Sequence, residues 1–228
     1  MTILIKSKFI LVASALAVAG ITAMPLAHAD EAAGIRGALT QGANAAVSKL
    51  GVAGGFMNNA KVKIPLPEPM GGAYKLMKTV GMGKQADELV AKMNAAAEQA
   101  VPLAKPLLLD AVKSMSVADA KGILTGGDNS VTQFFQAKTQ DNLKKAFLPS
   151  VQGAISKVGL AQQYNAIAAK AKPLGLVKGD AANIETYVTG KTLDGLYLLI
   201  GEEEKKIRQN PMGAVSSVVQ AVFGALKK

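Results

Sequence analysis

Of the 228 residues 50% are hydrophobic and 18% charged, which excludes a disordered tail and fits one domain or two small ones. Cysteine is absent and His28 is the only histidine, so disulfides, thiolate nucleophiles, Cys-ligated metals and a lipid-modified cysteine are all excluded. The formal net charge is +10, and with aromatics at 4% and no Trp the core must be built from Ala, Leu, Val, Ile and Met, which suits close-packed helices.

The first element is a leader. Lys6 and Lys8 precede an uncharged apolar run, Phe9–Gly20, and Ala27-His28-Ala29 has the small-residue spacing of a cleavage site, so a cut is expected before Asp30. Pro25 is expected to break the leader's helix just ahead of it. The competing reading is a retained anchor, since the uncharged stretch from Phe9 to Ala29 is just long enough to span a bilayer. Residues 1–29 are thus read as a signal peptide and 30–228 as one periplasmic domain. Losing the leader removes two lysines, the histidine and no acid, so the mature chain stays basic.

After Asp30, Ile35, Leu39, Ala43, Ala46, Val47 and Leu50 recur at helical spacing, and Gly51, Gly54 and Gly55 end the helix. The stretch Lys61–Pro69 has three prolines at alternate positions, which fix φ and push each preceding residue away from helix. It reads as an extended strap with Val62, Ile64 and Leu66 tucked against helices. Helical patterning covers Met70–Val80, stops at Gly81-Met82-Gly83 and resumes at Lys84 with Leu89, Val90, Met93, Ala97 and Ala100. Pro102 and Pro106 predict a kink or a new helix carrying Leu107–Met115. Ser116-Val117-Ala118-Asp119 is a capping box opening a short helix to Leu124, and Ser130-Val131-Thr132-Gln133 has the form of a second. Thr139 reads as a cap and Pro149 as a break. One more helix covers Leu160–Lys170, the longest runs from about Asn183 to Gln209, and Pro211 opens the last. No strand-like alternation and no fixed-period repeat appears, so the expected fold is all-α, a single compact domain of about eight to ten helices.

Four segments carry a family resemblance: Asn58-Asn59-x-x-Val62-Lys63-Ile64-Pro65-Leu66-Pro67; Ile123-Leu124-x-Gly126-Gly127-Asp128; Phe147-Leu148-Pro149; and Leu193-Asp194-Gly195-Leu196 through Glu202-Glu203-Glu204-Lys205-x-Ile207-Arg208-x-Asn210-Pro211. In that order they resemble the family catalogued as domain of unknown function 4197, over nearly the whole mature chain. The resemblance implies an exported, bacterial, helical protein and carries over no catalytic residue.

The chain has no phosphate-cradling P-loop, no H-E-x-x-H, no G-x-S-x-G and no EF-hand loop, and without His the commonest general base is missing. A binding or structural role is therefore favoured over an enzyme, and no metal or cofactor is expected. Gly126-Gly127-Asp128 either stops one helix and caps the next, or cradles an anion at the following helix N-terminus. Leu196, Ile200, Glu203 and Ile207 share one face, which sets Glu203 among apolar neighbours as a buried ion pair or a site. Asp194, one turn from Lys191, raises the same question. Glu202–Lys206 and Glu204–Arg208 read as solvated i,i+4 pairs.

Charge is uneven. From Lys138 to Lys178 seven Lys face one acid, Asp141, whereas Asp180–Glu204 holds six acids and one Lys, Lys191. Either the basic surface meets an anionic lipid, polymer or acidic protein, or it pairs with the acidic helix inside the fold. Only Arg36 and Arg208 are Arg, which with the exported location argues against nucleic acid. Ligand-binding candidates are Lys61 and Lys63 on the strap, Gly126, Gly127 and Asp128 at the turn, and Glu203 and Arg208 on the long helix. The leading expectation is an envelope binding protein with an anionic partner. The alternatives are a carrier of an apolar ligand, with Met70, Met77 and Met93 as lining, and a cofactor-free enzyme using Glu203 or Asp128.

Overall fold

The computed structural model describes residues 24–68, 78–79, 81–171, 173 and 179–210. These residues are helical, with no strand among them, and build one hydrophobic core. The elements are α1 (Met24–Leu50), α2 (Gly83–Ala100), a 3-10 turn (Val101–Leu103), α3 (Ala104–Lys113), α4 (Val117–Thr125), α5 (Ser130–Ile155), α6 (Gly159–Ala171), a second 3-10 turn (Gly179–Ala182) and α7 (Ile184–Gln209). The described residues thus hold seven α-helices rather than eight to ten. Of the elements expected from the sequence, residues 1–23, the stretch 70–77 and the helix after Pro211 lie outside the described residues, and Met70 and Met77 with them.

Among the described residues helix α1 runs from Met24, ahead of the expected start, with Pro25 inside it; the leader before Met24 lies outside them. The stripe Ile35, Leu39, Ala43, Ala46, Val47 and Leu50 is buried throughout. Ser116 does cap α4: its hydroxyl accepts from Asp119 N–H at 3.1 Å, and the Asp119 carboxylate accepts from Ser116 N–H at 3.0 Å.

Helix α5 corrects three expectations. It runs 26 residues through Pro149 without splitting. An interior proline costs about 3 kcal/mol. Leu143, Phe147, Val151 and Ile155, spaced by four and fully buried, offset this at roughly 1.5–3 kcal/mol each. Thr139 is no cap; it is buried mid-helix, donating to Phe135 O at 2.6 Å and sharing a 2.9 Å bond with Tyr197 Oη. Asn129, not Ser130, takes the N-cap position, and Ser130 Oγ donates instead to Ile123 O at 3.0 Å.

Helix α7 is the central element, packed on α5, α1 and α2. The loop after α1 reaches it at Gly195, where a Cβ would sit 2.8 Å from the Phe56 ring and 3.2 Å from Val62 Cβ. A glycine there lets the fully buried Phe56 lie on the helix.

Candidate functional site

The acids at the C-terminal end of α7 divide among three neighbours. Glu204 is the buried one, its side chain 1% exposed. Its carboxylate accepts from Val131 N–H at 3.2 Å, from Arg208 Nε at 3.0 Å and from Arg208 Nη2 at 2.8 Å. Arg208 Nη2 also donates to Ile123 O at 2.9 Å and Ser130 Oγ at 2.7 Å. The pair Glu204–Arg208 is therefore not solvated, as its spacing suggested, but locks the end of α4 and the start of α5 onto α7. Glu203 is the more open neighbour, bridged to Lys49 at 2.5 Å and Lys206 at 2.8 Å. Burial pushes its pKa up, but hydrogen bonds from Lys206 and Lys49 outweigh this and hold it below the usual carboxylate value. Glu202 pairs with Lys61 of the strap.

At the Gly126-Gly127-Asp128 turn, the N–H exposed at the start of α5 is met by Glu204, the chain's own anion. A Cβ on Gly126 would lie 2.6 Å from both Gly122 O and Ser130 Cβ, so glycine allows the close approach of α4 and α5 there. Gly127 faces open space and Asp128 is exposed, with no contact tying it to Glu203 among the described residues.

The strap and the loop that precedes it are held from α2 by two buried polar side chains. Asn94 Oδ1 accepts from Ile64 N–H and its Nδ2 donates to Ile64 O, both at 2.9 Å. Glu98 accepts from Phe56 N–H at 3.0 Å and Met57 N–H at 3.1 Å. Val62, Ile64 and Leu66 are buried as expected, and Lys61 and Lys63 point outward. Beside the strap lies an open groove of about 730 Å³, lined by Lys63, Leu66, Glu68, Val90, Tyr187 and Lys191 among others. Tyr187 Oη donates to Pro65 O at 3.2 Å, and burial raises its pKa, helped by neighbouring charges including Glu68 and Asp194. Asp194 is exposed and pairs with Lys191 at 3.2 Å. The enclosed space near Glu204 is only about 10 Å³, and Met93 is a fully buried core residue.

Asn94 and Glu98 had no sequence signal, since their partners are 30 and about 40 residues away. Glu204–Arg208 had one in the scarcity of Arg. Both Arg side chains are partly buried and donate to a distant backbone carbonyl, Arg36 to Met115 O and Arg208 to Ile123 O, each at 2.9 Å. Arg replaces Lys where several fixed donors are needed. Among the described residues, no group of three or more His, Cys, Asp or Glu is placed to hold a metal ion, and no helix is long and apolar enough to cross a membrane.

Among known proteins, the family described as protein of unknown function (DUF4197) matches residues 25–224. No curated protein and no solved structure matches the chain.

Proposed function

The chain belongs to the DUF4197 family, whose function is unknown, and from that premise we propose a non-enzymatic binding or structural role at the cell envelope with an anionic partner. Export by residues 1–29 to the periplasm is part of the same proposal.

The observation that carries it is where the acids are committed. All six acids from Asp180 to Glu204 have partners inside the fold. Glu185 accepts from Asn165 at 2.8 Å, Asp194 pairs with Lys191, and Glu202, Glu203 and Glu204 pair with Lys61, Lys49 and Arg208. Among the described residues, only Asp180 draws on the basic block, meeting Lys144 at 3.1 Å. Internal pairing therefore leaves Lys145 and Lys157 exposed, with no ion pair among the described residues. Single exposed charges are worth little, but their summed field concentrates anions at the surface.

The test is co-sedimentation of the exported protein with its own cells' envelope fraction at low salt. The double variant Lys145→Glu with Lys157→Glu should lose most of the association. Association unchanged by that double reversal would overturn the reading.

The open groove favours a second reading, an elongated apolar ligand lying along the strap against Leu66, Val90 and Tyr187. Lipid co-purifying with the wild type and absent from Val90→Asp would support it.

A further inference from the structure

The groove beside the strap has a direction. The strap and α7 run antiparallel: Lys61 meets Glu202, Val62 lies against Gly195, and Pro65 O is reached by Tyr187. Lys191 stands between Tyr187 and Gly195 on α7, as Lys63 stands between Pro65 and Val62 on the strap. Both lysines line the groove, so this register sets them at one end of it, with Ala181 and Glu68 beyond Tyr187 at the other. Lys63 to Glu68 spans at most about 18 Å of extended chain. A groove along such a segment takes an elongated ligand, and its volume of about 730 Å³ suits a small molecule.

Its walls are apolar between the ends. Leu66 is buried, and Val90, Ala181 and Tyr187 are half-buried with surface still open to the groove. Among the described residues that line it there is no Ser, Thr, Asn, Gln or Arg. The Tyr187 hydroxyl proton is given to Pro65 O. The lysine ammoniums are thus the side-chain donors left for a headgroup, and as point charges they suit a compact anion better than a hydroxyl-rich head.

The acids nearby are already engaged. Asp194, exposed, pairs with Lys191 at 3.2 Å, which uses one of the three donors of that ammonium. Glu68, at the far end, takes part in an interaction within the fold. Lys63 is exposed with no ion pair among the described residues, so the unmatched charge on the groove is a single cation at the lysine end.

We propose that this groove holds a long-chain fatty acid, its carboxylate at Lys63 and Lys191 and its acyl chain along Leu66, Val90 and Tyr187. The proposal rests on the apolar-ligand reading above and names the ligand and its orientation.

The test is calorimetric titration of the folded chain with laurate, octanoate, dodecanol and lysophosphatidylglycerol carrying a lauroyl chain. One laurate should bind per chain. Octanoate, which is shorter, should bind at least about tenfold more weakly, since each buried CH₂ adds affinity. Lys63→Gln should weaken laurate at least about fivefold and leave dodecanol unchanged, because an opposite charge is lost only for the carboxylate. An unchanged urea midpoint should show that this exposed substitution leaves the fold intact. Val90→Trp, which fills the groove with an apolar side chain, should remove binding of both. Laurate and dodecanol binding alike, with Lys63→Gln without effect, would overturn the fatty-acid proposal and leave an apolar ligand in place. Lysophosphatidylglycerol binding more tightly than laurate would overturn the carboxylate head. Binding of none of the four, or binding unmoved by Val90→Trp, would overturn the apolar-ligand reading as well.

Discussion

Replacing Glu204 by Gln keeps the shape of the side chain and removes its charge. The carboxylate is held by donors: Val131 N–H and two nitrogens of Arg208. The amide's NH₂ would face donors, and Arg208, its side chain only 14% exposed, would lose its counter-ion. Breaking a buried pair from one side costs about 3–5 kcal/mol. Arg208 keeps its bonds to Ile123 O and Ser130 Oγ, which places the loss at the low end, about 3 kcal/mol. Part of it is the lost anion at the start of α5, itself worth about 0.3–1 kcal/mol. With an m-value near the top of the range of about 1–3 kcal/mol/M, the urea midpoint at pH 7 should fall by about 1 M. Glu203→Gln, whose lysine partners are half-exposed, should cost less than about 1 kcal/mol. The double variant Glu204→Leu with Arg208→Met should recover most of the loss, because neither charge remains to be desolvated. A Glu204→Gln midpoint no lower than that of Glu203→Gln would refute the assignment of Glu204 as the buried lock.

Changing Ile64 and Leu66 together to Asp should destabilise by several kcal/mol, since each loses burial worth about 1.5–3 kcal/mol and adds a buried charge; an unchanged urea midpoint would show a strap that holds nothing. Gly126→Ala should be clearly destabilising, because its Cβ meets Gly122 O and Ser130 Cβ at 2.6 Å, whereas Gly127→Ala, with open space around it, should be near neutral; thermal melts compare the two. Glu203 titrates below its ordinary value of 4.5 when folded, so its contribution is present above that pH and is lost as the pH falls through the lowered value. The stability gap between wild type and Glu203→Gln, read by urea titration, should therefore be present at pH 7 and shrink as the pH falls below 4.5 through the lowered value. Intact-mass measurement of the exported protein should give a chain beginning at Asp30, and a membrane-bound chain retaining Met1 would contradict the cleavage.

Local chemistry was legible where the deciding contacts are local. The α1 stripe, the Ser116–Asp119 capping box, the Pro-enforced strap and the span of α7 follow from spacing and turn chemistry. Continuity through Pro149 was not, because the burial that outweighs the missing hydrogen bond comes from partners on other helices. Glu203 and Glu204 show the limit of a stripe. Spacing gives the average angle of a face, but α7 passes several neighbours along its 26 residues. Near its end the start of α5 and Arg208 supply donors for Glu204, while α1 reaches Glu203 through the long arm of Lys49. The alternative of internal neutralisation of the lysine-rich block was likewise undecidable from charge counts, since it turns on which lysines the acids of α7 reach.

The most direct measurement of the central claim is the salt dependence of binding between the folded chain and the envelope fraction of its own cells. If unneutralised lysines hold an anionic partner, affinity should fall steeply as salt rises and screening shortens from about 10 Å at 0.1 M towards 3 Å at 1 M. Reversing Lys145 and Lys157 should flatten that dependence. Binding that keeps its strength from low salt to 1 M would contradict an electrostatic partner and favour an apolar ligand in the strap groove.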